Sequence, residues 1–211
     1  MGLVRLLFRR SFRQVDDYAL AWAAHNERAR SATGPLWVVL GDSAAQGVGA
    51  SAHVNGWVGL VHRRLGPQWR VINLSRSGAR TRDVIDTQWP AAAGLGAELV
   101  TAVVGGNDAL HTKEPRWLQD VDDLVAVLPP NAVVSTTARG VFERKTGRVN
   151  EHLRAAAAAK GLQVADIWAH TGPPYKGLYA DGLHPNDKGY QQWADAVWEA
   201  LVKRGDERPG A

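Results

Sequence analysis

Five short apolar runs alternate along this chain with longer stretches of helical spacing, and that alternation constrains the fold more than any other feature. The runs are 36–40 (LWVVL), 70–74 (RVINL), 98–104 (ELVTAVV), 131–135 (NAVVS) and 162–167 (LQVADI), each stopped by Gly, Pro, Asn, Ser or a charged residue. They are short, rich in Val, Ile and Leu, and read as buried strands. Residues 16–30, 56–65, 81–93, 115–127, 147–160 and 187–203 carry helical spacing. Strands separated by helices need crossover connections, so the chain is predicted to form a mostly parallel sheet with helices on both faces. That is a three-layer α/β/α sandwich, and five strands suit a flavodoxin-like order. Asn186 or Asp187 is placed to cap the last helix, Gly161 to end the alanine-rich one, and Pro115 to stand at a first helical position.

With 211 residues, the chain has room for one domain of ordinary size. The division expected is a basic arm and packing helix over 1–30, one α/β domain over 31–205 and a flexible tail over 206–211. Hydrophobic residues make up 45% and charged residues 22%, which excludes disorder as the dominant state. The absence of cysteine excludes disulfide scaffolds, thiolate nucleophiles and thiolate metal sites. The net charge of +4 is mild. Much of it lies in Arg5, Arg9, Arg10 and Arg13, interleaved with Leu3, Val4, Leu6, Leu7, Phe8 and Phe12, a pattern suited at most to weak contact with an anionic membrane surface. Arginine interrupts the apolar stretch that a secretory signal needs, so a cytoplasmic location is expected. No nucleic-acid-binding motif accompanies the arm.

Ligands of such sheets bind beyond the carboxyl ends of the strands, and four loops there carry reactive groups. Gly41-Asp42-Ser43-Ala44 follows the first strand. Ser43 can stand on a tight strand-to-helix turn as a nucleophile, or serve simply as a helix N-cap. Ser77-Gly78-Ala79 follows the second, where Gly78 can present its N–H to a substrate oxygen or merely make a turn. Gly105-Gly106-Asn107-Asp108 follows the third, and the Asn107 amide can donate to an oxyanion or close an Asx-turn. Near the carboxyl end, Asp181 precedes His184 by three residues. One short loop can therefore offer a base and the acid that orients it, while Pro185 keeps His184 out of the next helix. Hydroxyl, base, acid and oxyanion donors together complete an acyl-transfer site.

These blocks, VVLGDSAAQG, NLSRSGA, GGND and DGLHPNDKGY, occur in an order that resembles the SGNH hydrolases, also called GDSL-type lipases and esterases, over roughly residues 36 to 203. The resemblance implies Ser43 as nucleophile, His184 as general base, Asp181 as its partner, and an oxyanion hole from the N–H groups of Ser43 and Gly78 and the Asn107 side chain. It implies cleavage of small-acyl or acetyl esters, with thioesters or lysophospholipids as alternative substrates, and no cofactor. Ala44 stands where the older family name expects leucine, which weakens any inference to lipid.

Other readings compete. Gly47-Val48-Gly49-Ala50-Ser51-Ala52 fits a relaxed dinucleotide fingerprint, but it begins several residues after the strand and lacks an acidic ribose partner. Asp42, Asn107, Asp108, Asp181 and His184 can be imagined as ligands of a two-metal phosphoesterase, though Ser43 would then be idle. A silent binding module on the same scaffold is the third class. His25, His53, His62, His111, His152 and His170 lack ligand spacing and are expected at the surface or at caps. Trp22, Trp37, Trp193 and Trp198 are expected to pack. Trp168, Tyr175 and Tyr179 are candidates to line an acyl or sugar pocket.

Overall fold

The computed structural model describes residues 9–140 and 142–205. The arm residues Leu3 to Phe8 and the tail 206–211 lie outside the described residues. Five parallel strands, β1 (Leu36–Gly41), β2 (Arg70–Asn73), β3 (Leu99–Val103), β4 (Ala132–Ser135) and β5 (Gln163–Ala165), form one sheet in the order β2-β1-β3-β4-β5. This is the flavodoxin-like order, with the switch point at β1 and β3.

The sheet is buried on both faces because side chains alternate across each strand. In β1, Trp37 and Val39 point into one apolar cluster, while Leu36, Val38 and Leu40 point into the other. The first cluster is completed by α3 (Trp57–Leu65) and α9 (Asp187–Arg204), through Trp57, Val61, Tyr190, Val197 and Leu201. The second is completed by α6 (Glu114–Val127) and α7 (Glu143–Lys160), through Trp117, Val121, Leu124, Val149 and Leu153. Helix α1 (Arg9–Ser31) stands beside the edge strand β2, placing Trp22 in the first cluster and Ala29 in the second. Its Asn26 amide donates to Asn73 O and accepts from Asn73 N, both at 2.8 Å. A side chain thus closes the open edge of the sheet.

Helix ends follow the sequence signals with small shifts. Asn186 caps α9 by accepting from the N–H groups of Lys188 and Gly189. Gly161 ends α7 in a left-handed conformation, and Pro115 takes the second rather than the first position of α6. The stretch 81–92, labelled α4, is not one regular helix. A π-turn, Val84–Gln88, separates Thr81–Asp83 from Trp89–Ala92. Its cause lies in Gln88, whose buried amide accepts from Gly41 N and donates to Gly41 O, both at 2.8 Å, and in Pro90, which has no N–H to continue the helical ladder. The bulge fixes the end of β1, from which the first functional loop departs.

Candidate active site

Where β1 ends, Asp42 rather than Ser43 caps the short helix α2 (Ser43–Gln46), its carboxylate accepting from Ala44 N at 2.9 Å. The capping reading of Ser43 is therefore incorrect: the residue before it already satisfies that N–H. Ser43 takes the first helical position, and its N–H donates to no acceptor among the described residues. Asp42 is almost fully buried. Burial pushes its carboxyl up to about 6, partly opposed by the Ala44 N–H and the nearby His184 and reinforced by Asp108.

Ser43 Oγ lies 3.0 Å from His184 Nε2, and His184 Nδ1 lies 2.9 Å from Asp181 Oδ2. These three residues are separated by up to 141 positions, yet they form a continuous hydrogen-bonded chain. The loop carrying the last two is braced at both ends. An antiparallel bridge joins Tyr179 to Pro185, Ala180 N donates to His184 O at 2.9 Å, and Asn186 N donates to Leu178 O at 2.9 Å. Asp181 Oδ1 accepts from the N–H groups of Leu183 and His184 at 2.7 Å each, so both carboxylate oxygens are committed and the acid cannot rotate freely.

Two further loops carry the other candidate groups. Gly78 has φ +81°, and a Cβ built there would meet nothing within 4 Å. The position needs glycine for its backbone conformation and faces open space. Its N–H also has no acceptor among the described residues. The Asn107 amide donates one hydrogen to Ala79 O at 3.0 Å. That bond ties the third loop to the second and leaves a second N–H available. A cavity of about 700 Å³ adjoins Asp42 and Asp181. Val103, Val104, Ala109, Leu110, Ala138, Leu183 and Trp193 supply much of its apolar wall, with Tyr175, Tyr179, Arg139 and the exposed Lys176 also lining it.

Residues 39–192, more than half of the chain, match the GDSL-like Lipase/Acylhydrolase family. The chain belongs to this family. No curated protein sequence matches it. Among solved structures, a lipase/acylhydrolase from Enterococcus faecalis is similar with a TM-score of 0.70 at 20% identity, covering 84% of this chain and 99% of that one. An α/β hydrolase from the metagenome of Lake Arreo, Spain, is similar with a TM-score of 0.69 at 22% identity, covering 82% and 98%. An acetylxylan esterase from Geobacillus stearothermophilus gives 0.63 at 20% identity, covering 82% and 96%. As a GDSL-like hydrolase the protein is an ester-cleaving enzyme.

Within this GDSL-like domain, the remaining sequence candidates sort by contact. Asp108 accepts from Thr81 N, Thr81 Oγ1 and Thr112 Oγ1, bracing α4 against α5 (Gly106–His111). Among the described residues no three His, Asp or Glu side chains converge as a metal ion would require. The glycines at 47 and 49 lead into a 3-10 turn, His53–Asn55, and Gly49 packs on the loop carrying His184. His25 and His53 are half-buried rather than fully exposed. Both rings pack edge-on to Trp22, and burial lowers both pKa values, with neighbouring positive groups adding. His62 bonds to Trp69 O, while His152 and His170 pair with Asp122 and Glu199. Trp22 and Trp37 are buried, Trp198 packs partly buried, and Trp193 both packs and lines the cavity. Tyr175 and Tyr179 line it as expected, but Trp168 does not. Its ring lies under Arg139, 5.1 Å from the guanidinium carbon to the centroid, and holds that side chain. Sequence reasoning missed Arg139, Ala138 and Leu110, which sit beyond strand ends without a motif to mark them. No described helix is long and apolar enough to cross a membrane.

Proposed function

We propose that this GDSL-like enzyme hydrolyses carboxylic esters through an acyl-enzyme on Ser43, with His184 as general base and Asp181 as its orienting partner. The observation that carries the reading is the Ser43 Oγ to His184 Nε2 separation of 3.0 Å, with Nδ1 held by Asp181 at 2.9 Å. In attack, Ser43 Oγ bonds to the acyl carbon as His184 Nε2 takes its proton. The carbonyl oxygen becomes an oxyanion, and the N–H groups of Ser43 and Gly78 and the second Asn107 N–H supply donors for it. Collapse breaks the ester C–O bond, and imidazolium returns its proton to the leaving oxygen. Water then attacks the acyl carbon, giving its proton to His184, and the carboxylic acid leaves as Ser43 recovers its hydrogen. Asp181, its other oxygen bonded by two backbone N–H groups, accepts from Nδ1 and keeps that nitrogen the protonated one.

The adjoining cavity favours acyl groups longer than acetyl. Its volume of about 700 Å³ falls among sites that enclose ligands of drug size, typically ~300–1,000 Å³, far more than a methyl needs. A second reading, a thioesterase, is favoured by Arg139 and Lys176 on the same wall, two cations suited to a phosphate-bearing leaving group. A panel of p-nitrophenyl esters from acetate to palmitate, run beside an acyl-CoA, tests both. The ester reading predicts a maximum at intermediate chain length that disappears in Ser43→Ala. Turnover confined to acetyl substrates contradicts the cavity assignment.

A further inference from the structure

Helix α1 lies wholly before the family-matched segment, which begins at residue 39, yet its polar side chains converge on the loop behind Ser43. The Gln14 amide accepts from Gly49 N at 2.9 Å and donates to Ala50 O at 2.9 Å. Tyr18 OH donates to the same Ala50 O at 2.9 Å, and Trp22 Nε1 donates to Gln46 O at 3.1 Å. Gln14 and Trp22 are buried. The loop they grip follows α2 directly and has no slack on its far side. Gly49, at φ +98°, lies so close to the histidine loop that a Cβ there would stand 2.8 Å from His184 Cβ and 2.3 Å from Pro185 O. Tyr190 OH of α9 holds the intervening Val48 O at 2.6 Å.

We infer that Gln14 is a positioning residue for catalysis, fixing Gly49 and through it the placement of His184 against Ser43. The inference rests on the serine-hydrolase reading above. Its physical basis is that a hydrogen-bonded base must be held to within about 0.5 Å of productive geometry, and a displacement near 1 Å can lower turnover by about 100-fold. A loop packed on the His184 main chain without room for a methyl transmits a shift of that size. Gln14 is suited to prevent it because one planar amide satisfies a donor and an acceptor on consecutive residues.

The test compares wild type with Gln14→Met, which keeps volume but removes the amide's bonds to Gly49 N, Ala50 O and the Tyr18 hydroxyl, Tyr18→Phe, which removes one hydroxyl, and Leu20→Gln on the exposed side of the helix. For each, kcat and KM for a p-nitrophenyl ester, the rate of labelling by a serine-directed phosphonate and the melting temperature are measured. Gln14→Met is expected to lose about tenfold in kcat and in labelling rate with KM little changed, at a temperature where circular dichroism shows it folded. Tyr18→Phe is expected to lose a smaller factor in the same two rates, and Leu20→Gln none. If Gln14→Met does not fold, Tyr18→Phe decides alone. A fall in melting temperature with kcat and labelling unchanged overturns the inference and leaves α1 a purely structural strap. Wild-type protein that neither turns over ester nor labels overturns the serine-hydrolase reading instead, and this inference with it.

Discussion

Asp42 and Asn107 show how single residues set the chemistry around Ser43. Asp42 caps α2 with one oxygen while burial raises its carboxyl to about 6. Below its unfolded value, 3.8, the group is protonated in both states. Above about 6 it is ionised in both, and the folded state bears the desolvation, so this residue's contribution to stability falls as pH rises through that window. Asp42→Asn keeps an oxygen for the Ala44 N–H and removes the charge. It is expected to stabilise the fold by about 2–3 kcal/mol at pH 8 and by almost nothing at pH 3.5, read from urea unfolding at the two values. Asn107→Ala is expected to lower kcat by about 100- to 1,000-fold with KM little altered, the usual result of removing one oxyanion donor, as steady-state kinetics would show. The residues of the hydrogen-bonded chain were legible in the sequence because Ser43 lies in a short polar block at a strand end and Asp181 and His184 stand three residues apart in one short loop before the last helix. The cap was not, because Asp42 and Ser43 are both good N-cap residues and only the backbone geometry decides which is used.

At the scale of elements, five strands and most helices were readable from periodicity alone, since a strand buried on both faces writes itself as a continuous apolar run. The break in 81–92 was hidden. Helical spacing survives a π-turn, and the reason for the turn, the Gln88 amide against Gly41, is a contact between residues far apart in sequence. The role of α1 was hidden for the same reason: nothing local in Gln14, Trp22 or Asn26 announces partners on other elements. Asn26 gives the element a measurable energy. Asn26→Ala removes the partner that the N–H and C=O of Asn73 have in that side chain at the sheet edge, and is expected to destabilise the fold by about 1–3 kcal/mol. Thermal or urea unfolding of the variant beside wild type checks it.

The whole molecule brings the ends of β1 and β3 and the Asp181–His184 loop to one edge of a parallel sheet, where open α/β folds bind ligands. The 700 Å³ cavity exists only at this scale, because its wall gathers Val103, Leu110, Arg139, Tyr179 and Trp193 from segments that no motif joins. Substrate preference was accordingly the least legible property in the sequence, whereas the members of the hydrogen-bonded chain, Ser43, His184 and Asp181, carried in short blocks, were the most. The central claim is that His184 activates Ser43. Mass spectrometry of the intact protein after treatment with a p-nitrophenyl phosphonate, followed by peptide mapping, tests it most directly. A single phosphonyl adduct on Ser43 is predicted, formed at least 100-fold more slowly in His184→Ala and absent in Ser43→Ala. An adduct on another residue, or equal labelling of Ser43 when the imidazole is gone, would contradict the account.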